Sequence, residues 1–84
     1  MKYFLLMTTR TETFNPDHVD GHYQHLNQLK SEGLLEMYGP FGDATGGAYL
    51  IKSDSLEEAA RIGQADPLIQ GGSSTLIVKE WILR

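Results

Sequence analysis

The run Lys2-Tyr3-Phe4-Leu5-Leu6-Met7-Thr8-Thr9 constrains the fold more than any other segment of the chain. Successive side chains of a strand point to opposite faces, so Tyr3, Leu5 and Met7 lie on one side and Phe4 and Leu6 on the other. Both sides are apolar, which places the strand in the middle of a sheet whose two faces are covered. The whole chain has 84 residues and reads as one domain, 1–84. A domain of that size buries only about 60 to 65% of the surface its unfolded chain exposes. A second copy of the chain is the simplest source of the missing cover.

The remaining pattern shows what lies around that strand. Asn15-Pro16-Asp17 is a helix-start signal, because Pro16 supplies a helical φ and the Asx side chains can cap free N–H groups. The helix it predicts runs from about Asp17 to Glu32. Val19, His22 or Tyr23, Leu26 and Leu29 recur at three- and four-residue spacing and form its inward stripe. Gly33 suits the left-handed position after a helix, and Leu34 to Tyr38 follows as a second strand that stops at Gly39-Pro40. Gly39 to Gly47, with four glycines, reads as a loop joining that strand to a third, Ala48 to Lys52, in a hairpin. Ser55-Leu56-Glu57-Glu58 is a capping box, and Leu56, Ala59, Ala60 and Gly63 mark the packed face of the second helix. Asp66-Pro67 ends it. After Gly71-Gly72-Ser73-Ser74, Thr75 to Leu83 reads as a long fourth strand.

The order β-α-β-β-α-β is the ferredoxin-like α+β pattern, a four-stranded antiparallel sheet with both helices on one face. Its other face is bare. Strands one and four carry apolar residues on that face too, and a patch of this kind exceeds what a monomer ordinarily exposes, so a homodimer through the sheet face is expected.

Eleven acidic residues against seven basic ones give a net charge of −4, with the cations scattered, which argues against a nucleic-acid partner. The absence of cysteine removes disulfides, thiolate nucleophiles and Cys-based metal sites. The five apolar residues Tyr3 to Met7 are too few for a signal peptide, and no stretch approaches a membrane span. The expected setting is cytoplasmic, with no membrane partner.

Two residues stand out chemically. His22 lies on the inward face near the helix N-terminus, where the positive helix end favours the neutral, basic imidazole. Asp66, fixed by Pro67 at the end of the second helix, is within reach of that ring if the helices lie side by side, and would then set its tautomer and support an imidazolium. Taken singly, each has an ordinary structural explanation: a core histidine with one hydrogen bond, and an aspartate making a local turn bond. His18 and His22, at i and i+4, have a metal-chelating spacing, but no third ligand follows by spacing and no metal is expected, while His18 and His25 read as exposed. The glycine-rich loop lacks the Gly-Lys-Ser/Thr of a phosphate-binding loop and precedes a strand, so no nucleotide cofactor is implied. It could close over one end of the helix-sheet cleft, with Phe41 as an apolar wall. The Ser55 hydroxyl, first in a capping box, is expected to be taken up by the cap.

His22-Tyr23-Gln24-His25-Leu26 through Leu29, Glu32-Gly33 and Gly39-Pro40, then Ser55-Leu56-Glu57-Glu58-Ala59 and Ala65-Asp66-Pro67, together resemble the YCII-related (YciI-like) family in order and spacing over nearly the whole chain. The resemblance implies a ferredoxin-like fold dimerising as an α/β barrel, like the muconolactone isomerases, with a His and Asp pair in a pocket between helices and sheet. By motif position that pair is His22 and Asp66. The family includes a dehydrochlorinase that removes HCl from a chlorinated hydroxyhydroquinone, so the resemblance implies a cofactor-independent lyase or isomerase of small cyclic or aromatic metabolites. His22 would be its general acid/base, Asp66 its orienting partner, and Pro40, Phe41, Ser55 and Leu68 its substrate-binding residues. Two other readings stay open: a non-catalytic ligand-binding or accessory domain using the same cleft, and a metal-dependent oxygenase. The chain departs from longer members in a shorter loop after Gly39-Pro40 and almost no tail beyond Leu83.

Overall fold

The first strand, β1 (Lys2–Arg10), is hydrogen-bonded on both sides, to β3 (Gly46–Ser53) and to β4 (Ser74–Glu80), as its two apolar faces require. The computed structural model describes residues 1–84, with elements in the order β1, α1 (His18–Ser31), β2 (Leu35–Pro40), β3, α2 (Leu56–Gln64), α3 (Pro67–Gln70) and β4. The sheet runs β2-β3-β1-β4 and every pairing is antiparallel, a ferredoxin-like α+β fold. Phe4 and Leu6 face the helices and join Leu26, Leu29, Tyr49, Ile51 and Ala59 in the buried core. Gly63 allows α2 to sit close on the sheet, since a Cβ there would lie 2.6 Å from Leu76 Cδ2 and 3.0 Å from Leu6 Cδ2. No helix is long and apolar enough to cross a membrane.

Several boundaries differ from the sequence reading, each for a physical reason. The strand β2 continues through Gly39 and Pro40, pairing Pro40 with Gly47. Proline is tolerated because β2 is an edge strand and owes no N–H on its outer side. The connecting loop therefore shrinks to residues 41–45, closed by Phe41 N–H donating to Gly46 O at 2.8 Å. Asp43 steadies it by accepting from Thr45 N–H and Oγ1 at 3.1 and 2.7 Å. The fourth strand ends at Glu80, not Leu83: Trp81 N–H still reaches Tyr3 O at 2.9 Å, and the pairing stops there, near the end of β1 at Lys2. Leu56, expected on the packed face of α2, is 53% exposed at the helix start, and Ile62 packs against the core instead.

Asp66-Pro67 does more than end α2, which closes at Gln64 with Ala65 as its C-cap. Pro67 opens the short helix α3, with Asp66 as its N-cap. Proline's missing N–H is no loss at the first helical position, so the same dipeptide that stops one helix starts another. On the other side, α1 touches α3 at Gly21, where a Cβ would stand 2.9 Å from Pro67 Cγ. The two backbones can approach this closely only because Gly21 has no side chain.

Candidate active site

The close approach of Gly21 and Pro67 carries their chain neighbours, His22 and Asp66, together. His22 Nδ1 lies 2.7 Å from Asp66 Oδ2, so the contact that the helix stripe and the Asp-Pro dipeptide made conceivable is formed. Asp66 is 0% exposed, and three donors converge on it. Leu68 N–H donates to Oδ1 at 2.9 Å, while the Tyr49 hydroxyl donates to Oδ2 at 3.3 Å, sharing that oxygen with His22. A buried carboxylate without such partners would be neutral. Burial does push the Asp66 carboxyl up, but the His22 and Leu68 N–H donors outweigh it and hold it below its ordinary value.

An ionised carboxylate only accepts hydrogen bonds, so Nδ1 of His22 carries the proton and Nε2 keeps a free lone pair. Nε2 has no hydrogen-bond partner in the protein, and the side chain is 15% exposed at the wall of a cleft. The cleft lies between α1, α3 and the sheet and has a volume of about 80 Å³, room for a few waters or one small ring. Tyr49 lines it from β3. Burial and the neighbouring Asp66 charge raise the Tyr49 hydroxyl far above its ordinary pKa, so it remains a proton donor to the carboxylate.

The other expected residues separate into two groups. Pro40 and Leu68 are in the cleft wall. Phe41 and Ser55 are not. Phe41 is exposed on the 41–45 loop, and the Ser55 hydroxyl caps α2 by accepting from Glu58 N–H at 3.1 Å. His18 and His25, expected to be exposed, are each partly buried. His18 Nδ1 meets Ser73 Oγ at 2.6 Å, and the His25 ring lies edge-on to Tyr49 with Nε2 buried and unpaired. His18 and His22 thus spend the same ring nitrogen on different partners. No three His, Asp or Glu side chains are grouped to hold a metal ion.

Tyr49 and Arg10, both in the cleft wall, were absent from the sequence reading. Alternation shows only which sheet face each is on, and register decides what it meets there. Arg10 continues the helix-facing series Phe4, Leu6, Thr8, and Tyr49 pairs directly with Leu6.

Comparison with known proteins places this geometry in context. The YCII-related domain profile matches residues 1–82. The uncharacterized protein YjpA of Bacillus subtilis (strain 168) is 60% identical over 84 residues, which span the whole chain and 99% of YjpA. Among solved structures, the 5-chloro-2-hydroxyhydroquinone dehydrochlorinase TftG of Burkholderia phenoliruptrix AC1100, in complex with 2,5-dihydroxybenzoquinone, matches with a TM-score of 0.74. It is 21% identical and the match covers 95% of this chain and 93% of that one, a likeness of fold.

Proposed function

The chain belongs to the YCII-related family, and we propose that within it the protein is a cofactor-independent lyase or isomerase acting on a small cyclic or aromatic metabolite. His22 is the general acid/base and Asp66 the residue that orients it. The observation that carries this reading is the 2.7 Å contact between His22 Nδ1 and a buried, ionised Asp66, which leaves Nε2 as a base at the cleft. Pro40, Leu68 and Tyr49 supply walls suited to one ring.

Dehydrochlorination of a chlorinated hydroxyhydroquinone, the chemistry named for TftG, fits these groups. A proton moves from a ring hydroxyl to the ring carbon that bears chlorine. A second hydroxyl proton is then lost as the C–Cl bond breaks, leaving a hydroxyquinone. The net change is loss of HCl, so no external oxidant is needed, and a single imidazole that takes and returns protons suffices. Asp66 stabilises the imidazolium between the steps.

The protein works as a cytoplasmic homodimer of single 84-residue domains, joined through the sheet face that the helices leave bare. That face presents Leu5, Met37, Leu50 and Trp81 around a shallow apolar hollow of about 230 Å³.

A specific observation also favours a non-catalytic reading: Asp66 caps α3 and Tyr49 binds it, which a purely structural carboxylate would also do. Chloride release from chlorinated hydroxyquinols, measured for wild type and His22→Gln, separates the two. The expected result is turnover by wild type and a loss of about 100-fold or more in a folded His22→Gln protein. Full turnover by that variant overturns the assignment.

A further inference from the structure

The cleft wall carries a cation in a protein that is acidic overall, with the Asp66 carboxylate buried behind His22. Eleven Asp and Glu outnumber seven Lys and Arg in the chain, yet the cleft wall contains Arg10 and His22 and no carboxylate. Arg10 reaches this position through strand alternation, emerging past Phe4, Leu6 and Thr8 where the core ends. Its guanidinium is unpaired: the two ion pairs of the molecule are His22 with Asp66 and Lys52 with Glu36.

The guanidinium is nonetheless held. It lies over the Phe14 ring, 4.3 Å from its centroid. The segment carrying Phe14 is tied to the turn between α3 and β4, since Thr11 and Thr13 both donate their hydroxyls to Gly72 O, at 2.6 and 2.8 Å. Asn15 N–H adds a bond to the buried Ser73 Oγ at 2.9 Å. An aromatic platform fixed at both ends thus holds a planar cation, with its donors free, in the wall of the cleft that His22 also lines. Such an arrangement loses little freedom on gripping an anionic oxygen.

We propose that Arg10 is the anion-binding residue of the cleft, and that the ligands of this protein are small rings bearing an anionic oxygen, a carboxylate or an acidic phenol, seated against its guanidinium. The inference rests on the cleft being the ligand site and names the substrate class for it. In turnover, Arg10 takes the negative charge that appears on a ring oxygen as His22 removes its proton. Phe14 acts through Arg10 as a positioning residue.

The test is binding, read separately from turnover. Gentisate and the nitrocatechol mono-anion carry an anionic oxygen on the ring, and hydroquinone is the neutral control; each is titrated into the full-length protein by calorimetry. Wild type is expected to prefer the anions by about tenfold or more at low salt, with the preference shrinking as salt rises. Arg10→Gln is expected to lose that preference while binding hydroquinone within about twofold of wild type, and Arg10→Lys to retain part of it. Thermal unfolding confirms that both variants fold. His22→Gln should keep the preference.

Equal binding of anionic and neutral rings by wild type, or an undiminished preference in Arg10→Gln, overturns the assignment. A preference that depends on Arg10 in a protein that turns over no ring leaves the anion site standing and removes the lyase reading.

Discussion

Asp66 holds three donors on two oxygens from a fully buried position, and each donor limits what the residue can be replaced by. In Asp66→Asn the carbonyl can still accept from Leu68 N–H, but an amide NH₂ then faces the His22 ring and the Tyr49 hydroxyl. His22 restores its bond only by accepting at Nδ1, which moves its proton to Nε2 and abolishes the base at the cleft. Turnover is expected to fall by about 100-fold or more, with a stability loss of about 1–3 kcal/mol, and nitrogen NMR of the imidazole should report the switched tautomer. Retention of the Nδ1–H tautomer in the variant would count against this account.

Asp66 also has a pH signature. Its folded-state carboxyl titrates below the unfolded value, so the unfolded chain takes up the proton first on acidification. The resulting stability is complete above the ordinary carboxylate pKa of about 3.9 and is lost as pH falls through the lower folded value. Wild-type urea midpoints should therefore drop through that acid window more steeply than those of Asp66→Asn. His22 and Asp66 could be singled out from sequence because each sits at a position marked by local pattern, the helix stripe and the Asp-Pro stop. Tyr49 and Arg10 could not, because their place in the cleft depends on strand register between segments far apart in the chain.

At the scale of elements, the distance between the two residues is set by how closely α1 and α3 pack, and Gly21 sets that. A Cβ at Gly21 would lie 2.9 Å from Pro67 Cγ and 3.1 Å from its Cβ, so α1 must move away by a few tenths of an ångström. Alanine is the better helix former by about 0.5–1 kcal/mol, but overpacking against a rigid ring costs about 1–3 kcal/mol. Gly21→Ala is therefore expected to be less stable by about 1 kcal/mol, with turnover reduced beyond what the stability change explains, because the His22–Asp66 bond lengthens. Denaturant midpoints and kcat measured together check this; full turnover in a destabilised variant would show that the helix contact does not position the pair.

Strands and long helices followed from periodicity, since their burial repeats along the sequence. The short helix α3 did not, because four residues show no period, and the Asp66-Pro67 signal reads equally well as a stop. The extra strand residues at Gly39-Pro40 were hidden for a related reason: whether proline is allowed depends on which strand is at the edge, a property of the sheet order.

At the scale of the whole molecule, the apolar residues divide between a core and an open face. Only 15 of 84 residues are buried, while Met37 and Ile77 are 62% and 51% exposed on the side of the sheet away from the helices. Cross-strand register brings them together: Ile77 pairs with Met7, and Leu50 pairs with both Leu5 and Met37. Leaving this surface in water forgoes about 25 cal/mol for every Å² that a second copy would cover. Ile77→Lys tests the proposed dimer cleanly, because a half-exposed side chain contributes little to the protomer, within about 0.5 kcal/mol, yet an unpaired charge covered by a sheet-to-sheet interface is strongly unfavourable. Light scattering after size exclusion should give about twice the chain mass for wild type and the chain mass for Ile77→Lys. The wild-type Tm should rise with protein concentration and that of the variant should not. Dimeric Ile77→Lys, or wild type that is monomeric at all concentrations, would mean that the apolar face is covered in some other way.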